Sequence, residues 1–390
     1  MRVVIDATAA ISGGKLYLEK LLPQFARLDS RHKFIVLHAG DLDRLAEEIE
    51  DPQFQFLRAR IPFLKDGQWA GASILRMLWR KFVLPLHLRR FRPDVLFSNS
   101  GTVPLAKPAN TRTLIALHNC MPLNAELITE ERSPIKRWRL QMLRRQMLQV
   151  LSACDGSIAF SEDTRRRIQE NFGDLSHTPA VVHHAIDWGE AERQSGGQIN
   201  ELQQHGIRQP YLLYVSQFHR YKNVVRLIEA FAPVAANHPQ LQLALAGATA
   251  DGGYWNEVSA TISNLGLTER VVHLPALPRE QLIALYRGAL GFVQPSLAET
   301  CSFPLMEALA LGVPAAVADS TAMPEMAGEA AIYFDPQNVN EMADAMERLV
   351  WDEDLRGELR RKAIEQAAKF TWEKTARQTL AVFEQVVNGR

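Results

Sequence analysis

Cysteine pairs, long apolar runs and an excess of charge of either sign are all missing from this 390-residue chain. Its three cysteines, Cys120, Cys154 and Cys301, form no CxxC pair, which excludes a disulfide framework or cysteine-rich zinc site and indicates a reducing cytoplasm. No apolar run approaches the roughly 18 residues that span a bilayer, which excludes a transmembrane helix. The opening apolar run is interrupted by Asp6, so we interpret it as a buried strand and not as a secretory signal.

The net charge of zero hides an uneven distribution along the chain. Residues 1–185 carry 27 Lys and Arg against 19 Asp and Glu, whereas the remaining residues carry 17 against 25. A basic first half favours an anionic partner, such as a phosphorylated lipid or an anionic membrane surface. The alternative is that two solvated surfaces of opposite sign face each other.

Basic and apolar side chains alternate in two windows of the first half. Residues 58–92 hold nine Lys and Arg against Asp66 alone, and residues 132–151 hold six with no acidic residue. Cations mixed with exposed aromatics suit a membrane interface, so we expect this region to dock on anionic lipid. In the alternative, the aromatics are core residues and the cations are solvated. The interleaved apolar side chains are Trp69, Trp79, Phe82, Ile135, Trp138 and Met142.

Short β-branched runs alternate with helical patterns along the chain, which predicts an α/β fold with parallel sheets covered by helices. The length and the 47% hydrophobic content predict two domains. The polar stretch 187–209 shows no period and is taken as the linker, which gives domains at 1–190 and 191–371. The predicted strands are 3–9, 34–39, 54–60, 95–99, 113–118, 157–160, 180–183, 211–216, 241–246, 271–274, 291–294, 315–318 and 332–334.

The stretch PSLAETCSFPLMEALALG, residues 295–312, predicts the end of a strand, a loop and a helix that begins near Phe303 with Ser302 as its N-cap. Open parallel sheets bind ligands beyond the carboxyl ends of their strands, so two facing sheets should enclose a cleft. The backbone amides of Thr300, Cys301 and Ser302, with the helix dipole behind them, suit a diphosphate there.

Two carboxylates flank this loop. Glu299 and Glu307 would repel a phosphate, so we expect them to accept hydrogen bonds from sugar hydroxyls. A metal site is not indicated, because the acidic run that begins at Asp352 precedes a helical pattern and is interpreted as a helix cap.

The first half offers two further strand-end sites. Gly13 and Gly14 follow the first strand and precede a helical run from Tyr17, where glycines let the backbone approach a ligand phosphate; a plain turn is the alternative. His118 ends a predicted strand and is interpreted as a contact to the donor sugar. Lys15 is expected near the phosphate of the acceptor.

Glu299 and Glu307 form an E-x7-E signature, and residues 214–223, YVSQFHRYKN, form a strand and loop ahead of a helical run. Together these stretches resemble the retaining family 4 glycosyltransferases. The resemblance covers nearly all of the second half and is patchier before residue 150. It implies the GT-B architecture, in which two Rossmann-like domains face each other across a cleft and the last helix, here 372–390, crosses back to the first domain.

The resemblance also implies roles for individual residues. Glu299 would hold the donor hexose and Glu307 the nucleotide ribose, while Lys222 would bind the diphosphate. Where the family has a glycine-arginine pair, this chain has Ser216 and Gln217, so Arg220 would supply the second cation. The expected catalytic residues are His118, Lys222 and Glu299, the further donor contacts are Gly13, Gly14, Ser216, Arg220, Thr300, Cys301, Ser302 and Glu307, and the acceptor contact is Lys15.

The function implied is retaining, metal-independent transfer of a hexose from a nucleotide diphosphate sugar, GDP-mannose or a UDP-sugar, to a glycan or lipid-linked acceptor. Such transfer would serve the synthesis of cell-surface polysaccharide or glycolipid at the inner face of the membrane. No cofactor and no nucleic acid partner are expected. The alternatives are a sugar-nucleotide epimerase and a non-catalytic scaffold that binds nucleotide sugar.

Overall fold

The computed structural model of the protein describes residues 1–8, 12–28, 31–61, 72–99, 103–104, 106–173, 175–186, 203–249 and 251–389. The chain divides into two compact units, Met1–His184 with Trp372–Arg390, and Ala185–Thr371. The predicted linker, residues 187–209, lies outside the described residues as far as position 202.

The first unit is built on a parallel sheet of seven strands in the order β3-β2-β1-β4-β5-β6-β7. The central strands β1 and β4 are apolar and buried because helices cover both faces of such a sheet. In the register of β1, Val4 lies between Ile35 and Leu96. The strands are β1 Arg2–Ala7, β2 Lys33–His38, β3 Phe54–Arg58, β4 Val95–Ser98, β5 Arg112–Ala116, β6 Gly156–Ala159 and β7 Ala180–Val181.

The last helix of the chain packs on this sheet. Its Phe383 ring lies 6.0 Å from the ring of Phe25 and 5.4 Å from that of Phe97, measured between centroids. The helices of the first unit are Ser12–Arg27, Asp43–Glu48, Ala72–Phe82, Leu84–Phe91, Ala125–Glu130, Pro134–Ala153, Glu162–Phe172 and Trp372–Asn388, with a 3₁₀ helix at Met121–Leu123.

The second unit has a six-stranded parallel sheet in the order β10-β9-β8-β11-β12-β13. Its strands are short and almost wholly buried. The strands are β8 Tyr211–Val215, β9 Gln242–Ala246, β10 Val271–Leu274, β11 Gly291–Gln294, β12 Ala315–Ala318 and β13 Ala331–Phe334. The helices are Val224–Asn237, Gly252–Asn264, Arg279–Gly288, Phe303–Ala310, Met323–Ala327, Val339–Trp351 and Glu353–Ala367, with a 3₁₀ helix at Arg220–Lys222.

All thirteen predicted strands are confirmed to within two residues at either end, and both sheets are parallel as predicted. One expectation is wrong. The first helix begins at Ser12 and not at Tyr17, so Gly13 and Gly14 lie in its first turn and not in a loop. The amides of a first helical turn need no intrahelical partner, so a helix can begin on glycines despite their poor propensity.

Candidate active site

The second sheet carries the predicted diphosphate loop at the carboxyl end of β11. The helix Phe303–Ala310, called the site helix below, follows this loop. Ser302 is its N-cap, because the Ser302 Oγ accepts a hydrogen bond from the Leu305 amide at 3.3 Å. Gly312 follows the helix with a φ of +68°, a conformation that favours glycine. The predicted start and cap are confirmed, and the helix N-terminus lies at the carboxyl edge of the sheet.

Lys222 and Glu299 form a buried ion pair beside this loop. The Lys222 Nζ lies 2.5 Å from Glu299 Oε1, and the two residues are 9% and 7% exposed. They come from the loops after β8 and β11, which are neighbours in the sheet. Asn223 adopts a left-handed conformation, φ 63°, between the 3₁₀ helix and the next helix. Two residues predicted to bind the donor are thus brought together, with each satisfying the charge of the other.

A buried glutamine, which the sequence analysis did not select, holds the same carboxylate. Gln294 is fully buried, and its Nε2 donates to Glu299 Oε1 at 3.0 Å. The Ser302 Oγ donates to Gln294 Oε1 at 2.7 Å. On the other side of the loop, the Glu299 amide donates to Thr321 Oγ1 at 3.2 Å. The available signal was a polar residue at the end of an otherwise apolar strand.

Glu307 lies in the site helix and has a different partner. The Tyr286 hydroxyl donates to Glu307 Oε2 at 2.9 Å. Burial raises the pKa of Glu307 from its ordinary value of 4.5 to about 7, although the Tyr286 hydrogen bond works in the opposite direction. The two carboxylates of the E-x7-E signature therefore differ in their direct partners, since Glu299 forms an ion pair with Lys222 and Glu307 accepts from the neutral Tyr286 hydroxyl. The positive charge of Arg279 also lowers the pKa of Glu307, but by less than burial raises it.

The remaining donor residues predicted in the second unit lie around the ends of β8 and β11. Ser216 follows β8, and its amide donates to the Ala246 carbonyl at 3.0 Å. Arg220 makes two hydrogen bonds to Glu257, at 2.6 and 2.7 Å, and lies over the Tyr254 ring at 5.1 Å. Arg220 is therefore engaged by a carboxylate of its own unit.

Close packing behind Ser216 depends on a glycine that the sequence analysis did not select. Gly247 has a φ of +142°, and a Cβ placed there would lie 1.8 Å from the Ser216 carbonyl oxygen. Thr300 and Cys301 are buried in the loop before the site helix.

In the first unit, Asn99 hydrogen-bonds both His118 and the first turn of the helix Ser12–Arg27. The Asn99 Nδ2 donates to the Gly14 carbonyl at 2.8 Å, and Asn99 Oδ1 lies 2.7 Å from His118 Nε2. Because an amide oxygen only accepts, His118 carries a proton on Nε2. Burial lowers the pKa of His118 to about 3, so its ring is neutral at physiological pH. His118 and Gly14 are thus brought together, while Lys15 pairs with Glu19 at 3.5 Å.

The basic windows of the first unit prove to be of two kinds. Arg76, Arg80 and Trp79 are buried, so the interpretation of this part as an exposed interface is wrong. The Arg80 Nε lies 3.1 Å from Asp6 Oδ2, so this cation is neutralised within the unit. Trp69 lies outside the described residues.

Other apolar side chains of these windows are exposed. Phe82 is 62% exposed, and Ile135 and Trp138 on the helix Pro134–Ala153 are 80% and 64% exposed. Lys136 and Arg139 are exposed on the same helix, and that helix contains no acidic residue. This combination of cations and apolar side chains is called the basic surface below, defined by Ile135, Lys136, Trp138 and Arg139.

Three further observations concern the described part of the chain. There, no group of three or more His, Cys, Asp or Glu side chains is placed to hold a metal ion. Asp352 caps the helix that follows it, since its Oδ1 accepts from the Leu355 amide at 2.9 Å, and the cap interpretation is confirmed. Among the helices that the structure describes, none combines the length and apolar character needed to cross a membrane.

Family comparison agrees with this geometry. Residues 198–370 match the sequence model of glycosyl transferases group 1, and residues 11–188 match that of glycosyltransferase family 4. The chain belongs to the group 1, family 4 glycosyltransferases. The family that the E-x7-E stretch and residues 214–223 resemble is confirmed.

Individual relatives of this glycosyltransferase are distant. An O-antigen chain mannosyltransferase B from Escherichia coli is 28% identical over 178 residues, which are 45% of this chain and 46% of the relative. The chain thus spans less than half the length of the curated relatives it matches first.

Solved structures show the fold of the glycosyltransferase. A sucrose-phosphate synthase from Thermosynechococcus elongatus superposes with a TM-score of 0.77 at 16% identity, covering 100% of both chains. The Anabaena protein HepE in complex with UDP-glucose gives a TM-score of 0.71 at 15% identity, covering 99% of this chain and 100% of HepE. The fold is GT-B, as predicted.

Proposed function

We propose that this glycosyltransferase moves a hexose from a nucleotide diphosphate sugar, GDP-mannose or a UDP-sugar, to a glycan or lipid-linked acceptor. The observation that carries the proposal is the Lys222–Glu299 pair at the carboxyl edge of the second sheet, beside the N-terminus of the site helix. A cation and a helix N-terminus suit a diphosphate, and a carboxylate suits sugar hydroxyls. The mannosyltransferase relative and the UDP-glucose complex of HepE support this donor class.

Each donor residue then has a defined task. When the donor binds, the Lys222 ammonium leaves Glu299 and pairs with the diphosphate. The Glu299 carboxylate is then free to accept hydrogen bonds from the hexose hydroxyls. Glu307 accepts from the ribose. Charge that develops on the leaving diphosphate is stabilised by Lys222 and the site helix, so catalysis is mainly electrostatic. The further contacts proposed for the diphosphate are Ser216, Arg220, Thr300, Cys301 and Ser302.

The proposed reaction retains the configuration of the anomeric carbon. The leaving diphosphate takes the proton of the acceptor hydroxyl on the same face of the sugar. We propose that neither a metal nor a cofactor takes part. The same proposal assigns Gly13, Gly14 and His118 to the donor and Lys15 to the acceptor. Synthesis of cell-surface polysaccharide or glycolipid is the proposed role.

The donor is tested first by thermal shift with a panel of nucleotide sugars, because a ligand at 100 times its dissociation constant stabilises the folded state by about 2.7 kcal/mol. Nucleotide release with and without acceptor then measures transfer. Glu307→Ala should weaken free nucleoside diphosphate and donor alike, whereas Glu299→Ala should lower turnover of the sugar donor and leave nucleoside diphosphate affinity nearly unchanged. Equal losses of nucleotide affinity in both variants would contradict the assignment.

We further propose that the acceptor is lipid-linked and that the basic surface docks on anionic lipid. Cations near such a surface contribute about 1 kcal/mol each, and exposed apolar side chains add to this. In vesicle sedimentation at low salt, Trp138→Ala should bind vesicles that contain anionic lipid more weakly than wild type. The matched control is Trp351→Ala in the second unit, where the side chain is 65% exposed, compared with 64% for Trp138. Wild-type protein that stays in the supernatant with anionic vesicles would refute the docking.

A further inference from the structure

We propose that Gln294 is a positioning residue for sugar transfer, which fixes the Glu299 carboxylate and the start of the site helix as one assembly. The inference rests on the proposed role of Glu299 toward the donor hexose. Gln294 is fully buried at the last position of β11, and it contacts the carboxylate on one side and the helix cap on the other. Gln294 itself lies outside the E-x7-E signature, five residues before Glu299.

The hydrogen bonds leave Gln294 one orientation. A carboxylate only accepts, so the amide nitrogen must face Glu299, where it lies 3.0 Å from Oε1. The amide oxygen then receives the single proton of the Ser302 hydroxyl at 2.7 Å. That leaves the Ser302 oxygen to accept from the first turn of the site helix, which is its capping bond. The Gln294 side chain thus fixes both the position of the Glu299 carboxylate and the direction of the Ser302 hydroxyl that caps the site helix.

This arrangement matters once a donor is bound. In the structure, Glu299 Oε1 accepts from both Lys222 and Gln294. When the diphosphate attracts Lys222, Glu299 loses its cation, and an unsatisfied buried carboxylate is costly. The Gln294 amide keeps donating and holds the carboxylate in place for the hexose. Ser302 completes this network through its side chain.

Two substitutions separate positioning from folding. Gln294→Leu removes the hydrogen bonds to Glu299 and Ser302, and also the one to Ser296 Oγ at 3.3 Å. It should lower kcat/KM for the nucleotide sugar about tenfold, while the Kd of free nucleoside diphosphate changes less than about twofold. Gln294→Glu keeps the shape but places a second carboxyl beside Glu299. Two carboxyls sharing one site retain a proton between them at low pH, and that proton replaces the amide hydrogen bond.

The pH profile of Gln294→Glu is therefore the decisive readout. Its kcat/KM, divided by that of wild type at the same pH, should be near one third or more at pH 6 and fall by up to about tenfold per pH unit once the shared proton is lost. The matched control is Gln242→Leu. Gln242 is also buried, but it is the first residue of β9 and lies at the amino end of the strands, where its Oε1 accepts from the Arg208 amide. This control should lose stability without changing donor kinetics.

Several outcomes would overturn the inference. One is wild-type kcat/KM in Gln294→Leu, and another is a Gln294→Glu ratio that is the same at pH 6 and pH 9. If wild type itself releases no nucleotide from any donor, the proposed function has failed. The hydrogen bond between Gln294 and Glu299 is then tested by the free energy of unfolding of Gln294→Leu, Glu299→Gln and the double variant. Additive losses of stability then overturn the inference, and non-additive losses support it.

Discussion

Replacement of Glu307 by glutamine tests the structure of the site without any substrate. The carboxyl of Glu307 is buried in the site helix, 2.9 Å from the Tyr286 hydroxyl. Burial raises its pKa from 4.5 to about 7, and the Tyr286 hydrogen bond offsets only part of that effect. In the unfolded chain the same carboxyl is solvated and titrates near its ordinary value, so its ionisation is linked to folding.

Ionisation of Glu307 lowers the stability of the fold. The folded protein holds the Glu307 proton more tightly than the unfolded chain, so this group stabilises the fold below pH 4.5 and the stabilisation is lost as pH rises through about 7. Each pKa unit between the two states corresponds to about 1.4 kcal/mol. The free energy of unfolding of the second unit should therefore fall by about 3 kcal/mol over this range because of Glu307 alone.

The assay is urea unfolding of wild type and Glu307→Gln between pH 5 and pH 8. The glutamine cannot ionise, and its amide oxygen can still accept from Tyr286, so the variant should be the more stable protein at pH 8 and lose this advantage at pH 5. Glu353→Gln is the matched control, since Glu353 is exposed in the first turn of its helix. A difference between wild type and Glu307→Gln that is constant across this pH range would refute the reasoning.

Three other substitutions test separate parts of the structure. Lys222→Ala should lower kcat at saturating substrates roughly 100-fold, because it removes a charge that acts in the transition state and leaves Glu299 without its cation; unchanged turnover would count against the proposed role. Gly247→Ala should destabilise the second unit by about 4 kcal/mol in urea unfolding, because of its φ of +142° and the 1.8 Å approach of a carbonyl oxygen; a loss below 1 kcal/mol would show that the backbone relaxes easily. Arg80→Ala should destabilise the first unit by about 3 kcal/mol, because it leaves the carboxylate of Asp6 buried without its cation, and wild-type stability would contradict that ion pair.

Local patterns in the sequence were sufficient for the strands and for the helix caps at Ser302 and Asp352, although not for the start of the first helix, which lies at Ser12 and not at Tyr17. A strand buried on both faces must be apolar, so strands such as β1, β8 and β11 could be predicted from their own residues. The caps at Ser302 and Asp352 depend on hydrogen bonds that reach only three residues along the chain. The family signature is local as well, because Glu299 and Glu307 lie on either side of one helix start.

The tertiary structure alone decided which charges meet. Lys222 and Glu299 are 77 residues apart, and only the adjacency of β8 and β11 brings them together. Arg80 and Lys81 are adjacent in the sequence, but Arg80 is buried against Asp6 and Lys81 is exposed to solvent. Composition cannot distinguish them, because the electrostatic energy of a side chain depends on solvent exposure and on partners that are distant in sequence.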